Sequence, residues 1–227
     1  MTNQHSVDAI AGNLSEARAR MARAISEYDS EATLPRIIAV TKRQPLAAIE
    51  AALAAGHRLF GENRVQEAAQ KWPELRARHP DIALHMIGPL QTNKVRDAVR
   101  LFDVIETLDR PKLAHALADA MAASGRCPRL FIQVNTGAEP QKGGVLPEDL
   151  PELLTLCRDD LGLEIEGLMC IPPRDEEPAL HFALLKTLAR RHGLAKLSMG
   201  MSSDFEIAAA IGCDHVRLGT AIFGERV

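Results

Sequence analysis

The stretch Arg36-Ile37-Ile38-Ala39-Val40-Thr41, followed by Lys42 and, after Pro45, by a segment of helical period, decides the fold. Its continuous apolar run bounded by turn residues reads as a strand buried on both faces, the kind found in parallel sheets whose crossovers are helices. Lys42 stands where this strand becomes loop, so its amine projects from the rim of an apolar core. A lysine so placed loses solvation as a cation, which lowers its pKa and makes the free amine a usable nucleophile. Schiff-base chemistry is the natural use.

Working outward, the same short apolar run followed by a longer helical segment recurs to the end of the chain. The expected strands are Arg36–Thr41, Arg58–Gly61, Leu84–Ile87, Val104–Thr107, Arg129–Val134, Leu163–Leu168, Lys196–Ser198 and His215–Leu218. Eight such βα units predict an α/β protein folded as a single (β/α)₈ TIM barrel over residues 36–227. Residues 1–30 form an extra N-terminal helix, its apolar face made by Ile10, Leu14, Ala17, Met21 and Ile25, expected to close the barrel bottom. Pro45 and Pro111 suit first-turn positions and Asp109 suits a cap, while Pro73 should end or kink its helix. The polar connection from Thr136 to Pro147, carrying Gly137, Gly143 and Gly144, reads as a mobile loop on the active face.

Composition excludes several function classes. The 227 residues carry 27 basic and 30 acidic side chains, a net charge of −3. The basic ones are scattered, so no nucleic-acid partner is expected. Arg18, Arg20 and Arg23 read as a solvated helix face. With no signal-like N-terminus and no long apolar run, a cytoplasmic protein without a membrane partner is expected. Cys127, Cys157, Cys170 and Cys213 form no CxxC pair and read as buried reduced thiols. The histidines show no ligand spacing, so no metal is expected.

In a TIM barrel the carboxyl ends of the strands converge on one mouth. Strand one brings Lys42 there, strand two Asn63, strand seven Met201 and Ser202, and strand eight Arg217, Gly219 and Thr220. The hydroxyls of Ser202 and Thr220, with Gly219 offering backbone N–H groups unobstructed by a Cβ, form a candidate anion site after strands seven and eight, where barrels recurrently hold phosphate. A nucleophilic lysine facing a phosphate site suits a phosphorylated aldehyde, and pyridoxal 5′-phosphate (PLP) fits best. Other readings stand beside these. Asn63 could cap a helix, His85 could be a hydrogen-bonded interior histidine, Asn135 could form a turn, and Arg217 could pair with Glu62 or another carboxylate.

The segments Ala39-Val40-Thr41-Lys42, Phe60-Gly61-Glu62-Asn63 with Gln66-Glu67, His85 through Lys94, Ser198-Met199-Gly200-Met201-Ser202 and Arg217 through Gly224 resemble the pyridoxal phosphate homeostasis proteins, the YggS/PROSC family. The resemblance spans nearly the whole chain in the right order. It implies a barrel like the N-terminal domain of alanine racemase (fold type III), with PLP attached as an aldimine on Lys42. It implies further that Asn63 lies beside the cofactor ring, that Ser202, Gly219 and Thr220 hold the phosphate, and that Arg217 faces the pyridine nitrogen, with Met201 lining the pocket. Two departures stand out: Arg43-Gln44 follows Lys42 where some members carry a further lysine, and Lys142 resembles a family lysine but lies outside the pocket core.

The function expected is intracellular vitamin B6 and amino-acid/keto-acid homeostasis by a monomeric PLP-binding protein without dedicated turnover and with no catalytic residue assigned. PLP-dependent apoenzymes are possible partners. One rival is a PLP-dependent amino-acid racemase, which by the alanine racemase route needs a tyrosine from a second domain. The other is a Schiff-base aldolase acting on a sugar phosphate.

Overall fold

The computed structural model describes residues 5–28 and 31–225. Its elements are α1 Val7–Glu27, β1 Arg36–Val40, α2 Leu46–Ala54, β2 Leu59–Glu62, α3 Val65–Arg78, β3 Ala83–Met86, a 3₁₀ turn Thr92–Lys94, α4 Val95–Leu101, β4 Val104–Leu108, α5 Pro111–Ser124, β5 Arg129–Val134, α6 Leu150–Thr155, β6 Ile165–Cys170, α7 Pro178–Arg191, β7 Lys196–Met201, α8 Phe205–Ile211, β8 His215–Leu218 and α9 Thr220–Phe223. The strands pair in parallel and in chain order, and β8 returns to β1, so the sheet is a closed eight-stranded barrel. Ile37 registers with Val216 and Ala39 with both Leu218 and Phe60. The expected TIM barrel is the observed fold.

Side chains alternate along each strand, and the two faces meet different environments. The outer face, with Ile37, Ala39, Phe60, Leu84, Ile105, Leu130, Ile132, Leu168 and Val216, joins the helices in one continuous core. Inside, Val104, Phe131 and Met169 make a small apolar cluster. Around it lie the buried polar side chains of His85, Glu106, Ser198, His215 and Arg217. Four of them, His85, Glu106, Ser198 and Arg217, are hydrogen-bonded in one chain, which offsets part of the cost of burying them.

Several local expectations change. The leading helix does not close the bottom of the barrel; it packs on α8, α9 and α2 in the helical layer. Its buried face is Ile10, Leu14, Ala17, Met21 and Ala24, and Ile25 is only partly covered. Ser6 caps it by accepting the Ala9 N–H at 3.2 Å. Arg20 is not simply solvated: it pairs with Glu206 at 2.8 Å, its guanidinium 4.7 Å above the Phe205 ring. α3 runs through Pro73 to Arg78. Arg110, not Asp109, stands at the cap of α5, with Pro111 in its first turn. The loop after β5 is fastened to the sheet, because Val145 donates to the Gln133 carbonyl at 2.9 Å and the Asn135 N–H to Val145 O at 2.8 Å. Cys157, Cys170 and Cys213 are buried, whereas Cys127 is exposed. Burial pushes the Cys170 and Cys213 thiols up to about 12, so neither is a nucleophile.

Candidate functional site

Lys42 leaves β1 in a tight turn. The Gln44 N–H donates to Thr41 O at 3.0 Å, and the third turn position, Arg43, has φ of +58°. A residue with a Cβ in that left-handed region costs about 1–2 kcal/mol, so something must hold it. The holding groups come from β2 and α3. Glu67 Oε1 accepts the Arg43 N–H at 2.5 Å. Lys71 donates to Glu67 at 2.6 Å and to the Thr41 carbonyl at 2.9 Å. Glu62 Oε1 accepts from the Thr41 hydroxyl at 2.8 Å and from Trp72 Nε1 at 3.2 Å. The residues on both sides of Lys42 are therefore pinned while its own side chain points on. Burial raises the pKa of Glu62, opposed by Lys71. Burial acts the same way on Glu67, but the bonds from Lys71 and the Arg43 N–H outweigh it and the pKa falls.

Arg217 is fixed by a second network across the barrel interior. Its Nη1 donates to Ser198 Oγ and its Nη2 to the Cys170 carbonyl, each at 2.8 Å. Ser198 in turn donates to Glu106 Oε2 at 2.7 Å, and His85 Nδ1 meets Glu106 Oε1 at 2.6 Å. Burial by itself would raise the Glu106 pKa; the His85 hydrogen bond and the attraction of His85 and Arg217 outweigh it and hold the carboxyl at about 2. Glu106, not Glu62, is the carboxylate on which Arg217 depends, and His85 is an interior histidine of that network.

Lys42, Asn63, Met201, Ser202, Arg217, Gly219 and Thr220 line one cavity of about 340 Å³, together with Val40, Ile87, Ile171 and Ser203. That volume falls within the roughly 300–1,000 Å³ of small-molecule and cofactor pockets. Asn63 does not cap α3, whose cap position is Arg64. Its Oδ1 is buried without a hydrogen-bond partner. Gly88 lets the β3 loop press on it, since a Cβ there would lie 2.3 Å from the Asn63 carbonyl oxygen. At Gly219 a Cβ would come no nearer than 3.7 Å to Val40. With φ of −107° it has no conformational need for glycine either. What a Cβ would occupy is cavity. Ser202 lies ahead of α8, whose cap position is Asp204, and its Oγ accepts the Ala221 N–H at 3.4 Å, joining the two loops.

Some residues singled out in the sequence lie elsewhere. Asn135 is a turn former: its side chain accepts the Glu139 N–H at 3.2 Å and donates to Glu139 O at 2.9 Å. Lys142 donates to the Pro172 carbonyl at 2.9 Å and pairs with Glu139 at 2.5 Å. Lys94 lines a neighbouring cavity. Sequence reading missed Lys71, Glu106 and Ser198 as supports of the site. A glutamate within the apolar strand Val104-Ile105-Glu106-Thr107 was the available signal, since a carboxylate there needs buried partners.

The family model for "Alanine racemase, N-terminal domain" matches residues 6–227. The chain is 40% identical over 224 residues to the pyridoxal phosphate homeostasis protein of Pseudomonas aeruginosa, covering 96% of both chains. It is 36% identical over 228 residues to that of Escherichia coli K12, covering 96% of this chain and 97% of the relative. The chain belongs to the pyridoxal phosphate homeostasis protein family. Among solved structures, PipY of Synechococcus elongatus without PLP superposes with a TM-score of 0.83 at 39% identity, covering 95% of this chain and all (100%) of that one. PipY with PLP bound gives 0.77 at 39% identity over 90% of this chain and 100% of that one. The alanine racemase of Corynebacterium glutamicum, at 21% identity and a TM-score of 0.67, shares the fold; the match covers 96% of this chain and 60% of the racemase.

Proposed function

We propose that this protein binds PLP through Lys42 and serves intracellular vitamin B6 and amino-acid/keto-acid homeostasis, as a cytoplasmic monomer without dedicated turnover and with PLP-dependent apoenzymes as partners. The observation that carries the reading is the single cavity in which Lys42, Arg217 and the Ser202, Gly219 and Thr220 cradle face one another. The residues present fit the group. Ser202 and Thr220 hydroxyls and the unobstructed backbone at Gly219 suit a phosphate, Asn63 stands in the wall of the same cavity, and Arg217 is aimed by its two bonds at a fixed place in that wall. PLP supplies an aldehyde to which a lysine amine attaches reversibly. The strained, pinned turn holds the backbone on both sides of that lysine.

The absence of turnover rests on the wall of the cavity. Arg217 is a permanent cation, and facing the pyridine nitrogen it disfavours the protonated ring on which carbanion chemistry depends. An acid/base tyrosine is also lacking from the cavity: the sequence has one tyrosine, Tyr28, which is 70% exposed at the cap of α1, on the stretch leading into the amino end of β1. Among the described residues the exposed large apolar side chains are Val7, Tyr28, Leu34, Leu46 and Leu180. No helix among the described residues is long and apolar enough to cross a membrane.

The test is the visible spectrum of the purified protein before and after borohydride, with the modified peptide located by mass spectrometry. Reduction should fix PLP on Lys42, and Lys42→Ala should lose the visible absorbance and keep its circular dichroism. Trapping on Lys94 or Lys142 would refute the assignment. Exchange of the alanine α-proton in deuterated water should stay near that of free PLP; inversion at an ordinary enzyme's rate, about 10 s⁻¹, would make the protein a racemase.

A further inference from the structure

The sheet releases the chain just before Lys42. Val40 registers with Gly61, and the Thr41 N–H still donates to Gly61 O at 3.0 Å. The next helix, α2, begins at Leu46, and Pro45 at its cap position makes no side-chain bond. In between, the Gln44 N–H closes a four-residue turn on Thr41 O, with Lys42 and Arg43 as its central residues. A turn with positive φ at its third position normally carries glycine or asparagine there. Here the position is Arg43, which with Ala138 is one of two non-glycine residues at positive φ among the described residues. Strain kept beside a reactive group persists only where the surroundings over-determine it.

Those surroundings come from α3. The Arg43 side chain is exposed, so the backbone N–H is what is gripped, by Glu67 in the first turn of the helix. Lys71, one turn further on, bridges Glu67 and the Thr41 carbonyl, so one helix face grips the turn at both ends. The lowered pKa of Glu67 keeps it a carboxylate, the stronger acceptor. Lys42 lines the 340 Å³ cavity and neither Glu67 nor Lys71 does. We infer that Glu67, backed by Lys71, is a positioning residue for Lys42: it holds Arg43 in the left-handed conformation from which Lys42 meets the cofactor cavity, and so sets cofactor affinity without touching the cofactor. The inference rests on the proposed function, since PLP binding at Lys42 is what the turn serves.

Without Glu67, Arg43 relaxes out of the left-handed region, and binding must restore it. The roughly 1–2 kcal/mol of that conformation converts to a Kd about 5- to 30-fold higher. Glycine adopts the same conformation freely, whereas alanine does not. The experiment therefore compares the full-length parent, Glu67→Ala, and Glu67→Ala combined with either Arg43→Gly or Arg43→Ala. PLP is titrated by visible absorbance, and hydrogen exchange of the Gln44 amide, which closes the turn, is followed by NMR in the PLP-free proteins. Glu67→Ala is expected to raise the Kd about 5- to 30-fold and to speed Gln44 exchange, with the barrel strands keeping the parent's rates as the sign that the fold is intact. Adding Arg43→Gly should recover most of the affinity and slow Gln44 exchange again; adding Arg43→Ala should do neither. Should Glu67→Ala speed exchange throughout the barrel, the same glycine-against-alanine comparison is made on Glu67→Gln, which keeps an acceptor oxygen and loses the charge that draws Lys71. An unchanged Kd in the Glu67 variant, or equal recovery by alanine and glycine, would overturn the positioning role. Failure of the proposed function reads out separately, as PLP fixed by borohydride on a lysine other than Lys42 in the parent, while Gln44 exchange without PLP still decides whether Glu67 holds the turn.

Discussion

Replacing Glu106 by glutamine tests whether the barrel interior is a charge network that aims Arg217. The carboxylate is fully buried and accepts from His85 on one oxygen and Ser198 on the other, and Ser198 accepts from Arg217. Glutamine keeps the shape but supplies a single acceptor oxygen, so either His85 or Ser198 faces an amide NH₂. It also leaves the buried Arg217 cation without its nearby negative charge. Two weakened charge-assisted hydrogen bonds at about 1.5–3 kcal/mol each give a cost of roughly 3–6 kcal/mol, overlapping the roughly 3–5 kcal/mol of losing one partner of a buried pair. Because the Glu106 pKa is depressed from 4.5 to about 2, its contribution is full above pH 4.5 and lost as the pH falls through 2. Urea unfolding at pH 7.5 therefore reads the whole effect, and PLP must be absent, since a bound ligand adds its own stabilisation. Combined with Arg217→Met, the loss should be smaller than the sum of the single losses by about 1 kcal/mol or more. A Glu106→Gln protein within 1 kcal/mol of the parent, or a strictly additive pair (both judged against these roughly 1 kcal/mol thresholds), would refute the reasoning.

Ser202→Ala and Thr220→Val should each weaken PLP binding by about 1.5–3 kcal/mol, roughly 10- to 150-fold in Kd; an unchanged Kd for the pair would put the phosphate elsewhere. His57 is held neutral, its pKa lowered from 6.5 to about 4 chiefly by burial, with Arg18, Arg36 and Arg58 adding and the Leu59 carbonyl opposing. The unfolded chain takes up that proton first, so stability should fall from pH 6.5 to 4 by about 3 kcal/mol more in the parent than in His57→Gln. Comparing the two proteins cancels the opposite trend of Glu62, whose pKa is raised. Parallel stability profiles in urea would contradict this.

The strands were legible because buried parallel strands announce themselves as apolar runs, and each of the eight expected runs overlaps an observed strand. The mouth residues were legible for a related reason. Once strand ends are known, barrel topology makes residues from β1 and β8 neighbours, and Lys42, Ser202, Arg217, Gly219 and Thr220 do share one cavity. Helix ends and the place of α1 were less so: Asp109 has the chemistry of a cap and does not act as one, and an amphipathic helix shows that it has a partner without showing which.

By itself, then, the sequence determined the repeated βα pattern and the lysine at the first strand's end, since both follow from local periodicity and from residue types whose chemistry needs no neighbour to be recognised. The tertiary structure alone decided what holds the functional groups in place. Ser198 lies 92 positions from Glu106, and Arg217 lies 47 from the Cys170 carbonyl. The Lys71 that pins Thr41 is 30 positions away along the chain. Hydrogen bonds depend on directions and on distances of about 3 Å, and those are set only when the closed barrel brings β4, β6, β7 and β8 to face one interior.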